Sequence, residues 1–136
     1  RQTEKHMHKL PCFWPPDWVV SDKNYALIDD HGNIGLMDYY RPYIYEVHIY
    51  FEDRGKEALA RLKGMRDWTF QNTDAVLLVG KTPVLEKGAW LLTRLAGFKR
   101  VGTIETRFGP MHMSTLNKGE WYDKYEGNRW SEGNNE

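Results

Sequence analysis

Cysteine is almost absent from this sequence of 136 residues, which contains a single one, Cys12. A lone thiol excludes an intramolecular disulfide bond and any zinc site built from several cysteines. It is typical of a reducing compartment, and we therefore expect a cytoplasmic protein. The apolar neighbours Pro11, Phe13 and Trp14 indicate a packed thiol rather than a nucleophile.

The sequence also lacks an excess of charge and any long hydrophobic run. Lys and Arg together number 19, as do Asp and Glu, so the formal net charge is zero and no basic field is available for nucleic acid. The longest apolar run, Ala75–Val79, is far shorter than the roughly 20 residues that a membrane-spanning helix needs. We therefore expect neither nucleic-acid binding nor membrane insertion.

The composition that is present favours one folded domain over residues 1–136. Hydrophobic residues make up 40% and aromatic residues 14%, which is too much for a disordered chain. We expect an irregular, partly helical lead-in over residues 1–23 and a core over residues 24–116. A loosely held tail over residues 117–136 completes the domain, and its aromatic side chains can dock on the core.

Hydrophobic periodicity predicts an α/β (α+β) fold with a mixed sheet of about six strands. Tyr25–Ile28 and Ile34–Met37 flank a turn with glycine and predict a hairpin, and Tyr43–Phe51 alternates as a third strand. This third strand opens a central β-α-β-α-β unit. The following elements are a helix over 55–71, a buried strand over 75–80, a helix from Thr82 and Pro83 to Gly97, and a hairpin of 98–108 with 111–116.

Two ionisable side chains, Glu46 and His48, lie on one face of the strand Tyr43–Phe51. They are two residues apart, so they point to the same side of the sheet, about 7 Å from each other. Either can act as a general base for a bound amine, because imidazoles and carboxylates exchange protons with substrates in this way. The alternative is that both are hydrogen-bonded to neighbouring strands and have no chemical role.

The turn that follows this strand, at residues 52–58, can bind an anion. The first turn of a helix has unpaired backbone N–H groups at the positive end of the helix dipole, which suits phosphate or pyrophosphate. Gly55 permits close approach of the backbone, and Arg54 and Lys56 add positive charge. An ordinary strand-to-helix turn is the alternative, since Glu57 would repel an anion if it pointed inward.

The other histidines have ordinary structural explanations. His6 and His8 lack a third ligand, His31 lies in a hairpin turn, and His112 alternates along a strand with methionines. We therefore predict no metal site.

Four segments together resemble the GCN5-related N-acetyltransferase (GNAT) superfamily. They are Arg54-Gly55-Lys56, Asp67–Phe70, Ala75–Gly80 and Leu95–Gly102. The resemblance covers about residues 25–116, and its most specific part is the spacing between the first and last segments. Within the superfamily, the sequence is most similar to acetyltransferase-like proteins of tailed bacteriophages, some of which are virion components.

The resemblance implies a strongly bent sheet that splays at the strand Tyr43–Phe51, with the pantetheine arm of acetyl-CoA in the splay. It implies transfer of an acetyl group from acetyl-CoA to an unidentified amine, with Glu46 or His48 as base. Backbone N–H groups at a bulge in this strand would stabilise the oxyanion. The implied cofactor-binding residues are Tyr50, Phe51, Glu52, Arg54, Gly55, Lys56 and Ala58.

An alternative is a protein that kept the acetyltransferase fold, lost the chemistry and acts as a virion assembly or interaction module. The family's turn has small residues where this sequence has Glu57 and Leu59. The family's second helix commonly has Asn, Ser and a proton-donating Tyr, and this sequence has Glu86, Ala89 and Thr93 there.

The interaction module would bind a protein partner or a second copy of the chain through exposed aromatic side chains. Trp90 lies opposite the apolar stripe of its helix, so we expect its indole to be exposed. A phage-encoded protein would act in the host cytoplasm or in the virion. The tail supplies the other candidates for this surface, which are Trp121, Tyr122, Tyr125 and Trp130.

Overall fold

The computed structural model describes residues 24–29 and 31–126. Within them the elements are β1 (Tyr25–Ile28), β2 (Ile34–Arg41), β3 (Ile44–Tyr50), α1 (Gly55–Asn72), β4 (Leu77–Pro83), α2 (Lys87–Leu95), β5 (Lys99–Thr106), β6 (Gly109–Asn117), α3 (Lys118–Trp121) and a π-helical turn (Tyr122–Glu126). The predicted lead-in, with His6, His8 and Cys12, lies outside the described residues, as does Trp130.

The six strands form one mixed sheet in the order β1-β2-β3-β4-β6-β5. The pair β3 and β4 is parallel, and the other neighbouring pairs are antiparallel. Helix α1 makes the crossover between the two parallel strands, as a parallel connection requires. The predicted fold class and the central β-α-β-α-β unit are therefore confirmed.

The two faces of β3 differ as the alternation predicts. Tyr45, Val47 and Ile49 belong to the hydrophobic core on the side of α1, while Glu46 and His48 point to the opposite face. The predicted bulge in this strand is wrong. The β2–β3 register is continuous through Tyr50, and its irregularity lies on β2, between Tyr39 and Arg41.

Helix α1 packs on the sheet through one face, with Ala58, Leu62 and Thr69 buried. The same helix buries the charged side chain of Arg66. The guanidinium of Arg66 donates to Ala96 O at 2.7 Å and to Asp67 Oδ1 at 2.9 Å, so its charge is compensated within the core.

The predicted start of the second long helix is wrong. Thr82 and Pro83 continue strand β4, where they pair with His112 and Met111 of β6, and α2 begins at Lys87. Strand pairing outweighs the local capping signal because proline is tolerated at the end of a strand. As a consequence, Leu85 lies before the helix and is exposed.

The first part of the tail is docked on the core rather than loosely held. Trp121 is buried, stacks on Phe70 at 5.0 Å and donates from Nε1 to Asp67 Oδ1 at 2.7 Å. The ring of Tyr125 lies 3.9 Å from the guanidinium of Arg66, whereas Tyr122 is exposed. Among the described residues, no helix is both long and apolar enough to cross a membrane.

Candidate functional site

Strands β3 and β4 diverge in the middle of the sheet. Their ladder runs from Ile44 and Leu77 to Val47 and Gly80, and the described residues form no pair between these strands beyond it. Strand β3 nevertheless continues along β2 through Tyr50, and β4 continues along β6 through Pro83. The predicted splay at β3 is therefore present, and it opens an edge of backbone inside the sheet.

A cavity of about 350 Å³ fills this gap. Its volume falls within the usual range for small-molecule sites, roughly 300 to 1,000 Å³. Leu62 and Phe98 contribute apolar side chains, and the two strand ends and α2 contribute the rest. The strand and helix residues along it are Val47, His48, Ile49, Tyr50, Gly80, Lys81, Thr82, Pro83, Glu86, Ala89 and Thr93.

Gly80 lies at the closed end of the gap and packs tightly against its neighbours. A Cβ at this position would lie 3.1 Å from Ser114 Oγ and 3.8 Å from the ring of Phe98. The contact with Ser114 Oγ is tighter than ordinary packing, so a side chain at this position would press on the buried Ser114.

The backbone of Ile49 faces the cavity. Tyr43 O accepts hydrogen bonds from the N–H groups of Val76 at 2.7 Å and Leu77 at 3.1 Å, so the backbone groups of Tyr43 point toward β4. Every second residue of a strand directs its backbone N–H and C=O groups to the same side, so those of Val47 and Ile49 also point toward β4. At Ile49 strand β4 has diverged, so its N–H and C=O groups are directed into the gap.

Glu46, His48 and Lys81 form a charged cluster beside the cavity. Glu46 Oε2 lies 3.8 Å from His48 Nε2 and 3.5 Å from Lys81 Nζ, so the carboxylate lies between the two. His48 and Lys81 border the cavity, whereas Glu46 does not. The predicted pair is thus brought together, closer than its spacing along the strand suggested. Its partner Lys81 was missed, although it directly follows the predicted buried strand 75–80.

Asp38 places a second carboxylate next to this cluster, directly opposite Glu46 in the β2–β3 ladder. Burial raises the pKa of Asp38, the charge of His48 opposes this shift, and the charge of Glu46 adds to it. Two acidic groups facing each other across a ladder are mutually repulsive, so this region favours a cation.

The turn before α1 is open at its glycine. Gly55 has φ of 60°, and a Cβ there would meet nothing within 4 Å. The side chains of Glu57 and Leu59 do not border the cavity. Arg54 Nη1 donates to the carbonyls of Phe51 at 2.7 Å and Asp53 at 3.1 Å, and its contact with the cofactor stays a prediction.

The other predicted cofactor-binding residues are divided between the cavity and its surroundings. Tyr50 borders the cavity, and burial raises the pKa of its hydroxyl. Phe51 packs against the hydrophobic core, and Ala58 is buried on the core-facing side of α1. Glu52 and Lys56 are exposed on the turn and on the first turn of α1.

Solved structures that match this chain include acetyltransferases. A spermidine N-acetyltransferase SpeG chimera from Vibrio cholerae and hSSAT matches with a TM-score of 0.67 and 14% identity, over 89% of this chain and 78% of that chain. The aminoglycoside acetyltransferase AAC(6')-Ib in complex with coenzyme A matches with a TM-score of 0.63 and 10% identity, over 76% of this chain and 71% of that chain. A GNAT-family acetyltransferase from Bacillus anthracis matches with a TM-score of 0.57 and 13% identity, over 72% of this chain and 68% of that chain.

The chain has the GNAT acetyltransferase fold. No protein-family model matches the sequence, and no curated protein matches it either. The narrower resemblance to bacteriophage proteins stays a prediction.

Within the acetyltransferase fold, all three residues of the second helix region that the resemblance singled out reach the cavity. Glu86, Ala89 and Thr93 border it from the side of α2. The hydroxyl of Thr93 donates to Ala89 O at 2.8 Å, so its proton is already engaged by the helix backbone.

Trp90 is not the exposed indole that its position on the helix predicts. It is half-buried and stacks on His112 of β6, with ring centroids 4.4 Å apart and planes at 30°. The stack attaches α2, which has no buried residue of its own, to the sheet beside the cavity. Binding of a partner through Trp90 and self-association both stay predictions.

Proposed function

We propose that this protein is an acyl-CoA-dependent N-acetyltransferase that transfers an acetyl group from acetyl-CoA to an amine. The divergence of β3 and β4 after Val47 and Gly80 carries the proposal, since it opens a cavity of about 350 Å³ inside the sheet. A coenzyme A complex of a protein with this fold supports the choice of acyl donor.

The gap suits the pantetheine arm of acetyl-CoA. The arm carries amide groups, and the strand edge at Ile49 supplies unpaired backbone donors and acceptors for them. The open first turn of α1 suits the pyrophosphate, because Gly55 leaves the backbone uncovered and Lys56 adds charge. The bound thioester supplies the acetyl group.

His48 is the residue that we assign as general base. His48 borders the cavity. Glu46 does not border it, and its carboxylate contacts the imidazole of His48 and holds the orientation of that ring. The N–H of Ile49 faces the gap and replaces the predicted bulge as the donor that stabilises the oxyanion.

We propose that the acceptor is a cationic amine. The two facing carboxylates of Asp38 and Glu46 lie next to His48 and favour positive charge. The matching structures include a spermidine acetyltransferase and an aminoglycoside acetyltransferase with kanamycin, both of which act on molecules with several amino groups.

Thermal denaturation with CoA and acetyl-CoA tests the acyl donor. A ligand at about 100 times its dissociation constant stabilises a protein by about 2.7 kcal/mol, so we expect a clear rise in melting temperature. Adenosine, which lacks both the arm and the pyrophosphate, serves as the control. If millimolar CoA and acetyl-CoA leave the melting temperature unchanged, the proposed function is wrong.

Release of free CoA thiol then tests turnover. Acetyl-CoA would be incubated with spermidine, kanamycin and lysine, and we expect thiol release that depends on protein and saturates with amine. Release equal to that of a sample without protein, from a chain that binds acetyl-CoA, would contradict a catalytic role toward these amines.

A further inference from the structure

Asn33 is a buried side chain that connects two turns far apart in the sequence. It lies at the end of the β1–β2 hairpin turn and is 3% exposed. Its Oδ1 accepts hydrogen bonds from the backbone N–H groups of Glu52 at 2.9 Å and Asp53 at 3.0 Å. These residues belong to the turn between β3 and α1.

The other end of the same amide binds two carboxylates. Nδ2 of Asn33 donates to Asp29 Oδ2 at 2.9 Å and to Asp53 Oδ2 at 2.8 Å. The hydrogen bond from Asn33 is also the largest cause that holds the pKa of Asp53 below its usual range. Both donors and both acceptor positions of the amide are therefore engaged.

Only an amide of this size satisfies both ends. An aspartate at position 33 would retain an acceptor for the backbone N–H groups but would place a third carboxylate against Asp29 and Asp53. An alanine would leave the N–H groups of Glu52 and Asp53 without the acceptor that they have in this partly buried contact, which is costly.

These contacts fix the turn that precedes the first turn of α1. Two of its N–H groups are held by Asn33, and its carbonyls at Phe51 and Asp53 are held by the guanidinium of Arg54. The polar backbone groups that could otherwise reorient this turn are thus bound internally, so the orientation of Gly55 and the open helix end depends on Asn33.

We infer that Asn33 is a positioning residue for binding of the acyl donor, acting through the turn that receives the pyrophosphate. The inference rests on the proposed function. Asn33 does not border the cavity between β3 and β4, so it acts on affinity for donors with a pyrophosphate and leaves the transfer step unchanged.

Kinetics of Asn33→Asp with two acyl donors test this role. Acetyl-CoA carries the pyrophosphate, whereas S-acetylpantetheine has the same thioester arm without it. We expect KM for acetyl-CoA to rise at least about tenfold, as for loss of a buried hydrogen-bonded pair. We expect kcat with either donor and KM for S-acetylpantetheine to stay within about twofold of the original protein. Asn72→Asp, at an exposed amide in the last turn of α1, is the matched control.

Equal losses with both donors would show a general structural role and overturn the inference, as would an unchanged KM for acetyl-CoA. If Asn33→Asp does not fold, Asn33→Ser decides, since its hydroxyl can still accept from one N–H group. Serine should raise KM for acetyl-CoA selectively, by less than aspartate. A starting protein that does not bind CoA in thermal denaturation would refute the proposed function itself, whereas equal CoA binding by the original and the variant refutes only the role of Asn33.

Discussion

Val47 and Gly80 form the last pair of the parallel ladder between β3 and β4, and the sheet opens directly beyond them. Most strands in a sheet keep their neighbours over their whole length, because unpaired backbone groups in an interior are costly. Here the end of β3, His48–Tyr50, still pairs with β2, and the end of β4, Lys81–Pro83, still pairs with β6, but the two ends do not pair with each other. A ligand that pairs with these strand edges would compensate the lost ladder.

Filling the cavity from α2 should abolish binding of the acyl donor. Ala89 is half-buried and borders the gap, so Ala89→Phe places a ring where the pantetheine arm is proposed to lie. We expect the affinity for CoA, measured by calorimetry, to fall at least about tenfold with little loss of stability. Leu91→Phe is the matched control, because this exposed residue of the same helix does not border the cavity. Equal CoA affinity in the two variants would refute the assignment.

Removal of the imidazole should separate catalysis from binding. His48→Gln keeps a polar side chain at the cavity but cannot take a proton, and we expect kcat to fall about 10²- to 10⁴-fold with CoA affinity unchanged. Glu46→Gln should have a smaller effect, because Glu46 acts through His48 at 3.8 Å. A His48→Gln protein with nearly full kcat would exclude this residue as the base.

The ionised carboxylate of Asp38 should lower the free energy of unfolding at neutral pH. Burial raises the pKa of this carboxyl above its ordinary value of 3.8 in the folded protein. The protonated carboxyl is therefore favoured in the folded state, and the free energy of unfolding decreases as the pH rises through the folded pKa and the carboxyl ionises. Asp38→Asn should therefore raise the urea midpoint at pH 7, with a difference that shrinks below about pH 4. The same variant should raise KM for a cationic acceptor.

The exposed Asp123 supplies a control for this measurement. Asp123→Asn should leave the urea midpoint unchanged at both pH values. A lower midpoint for Asp38→Asn at pH 7 would show that the ionised carboxylate stabilises the fold, contrary to the direction of its pKa shift.

The stack of Trp90 on His112 should couple α2 to the sheet. We expect a double-mutant cycle with Trp90→Ala and His112→Ala to give a coupling free energy of about 0.5 to 1.5 kcal/mol, the range measured for aromatic pairs. Chemical denaturation of the four proteins measures it. Additive effects of the two substitutions would mean that the helix is held by other contacts.

Periodicity was sufficient to predict the strand order along the chain and the apolar face of β3. It placed helix α1 nearly at its observed bounds, because an 18-residue amphipathic pattern outweighs local signals. It failed at Thr82 and Pro83, where local residues favour a helix start and pairing with β6 favours a strand. Such a conflict is decided by a partner strand about 30 residues away, which local patterns do not report.

The site could be predicted only in part for the same reason. Glu46 and His48 share a strand, so their proximity follows from the alternation. Lys81 and Asp38 come from neighbouring strands, and their contacts depend on sheet order and register. The contacts of Asn33 could not be predicted, because the turn that it holds is distant in sequence.

The most direct test of the central claim is an amide NMR titration of the isotope-labelled protein with CoA. If the arm lies between the diverging strands, the largest shifts should occur at Ile49, at Gly80–Thr82 and in the first turn of α1, while the tip of the β5–β6 hairpin at Phe108 stays unchanged. Absence of shifts at millimolar CoA, or shifts confined to surfaces away from the gap, would contradict the account.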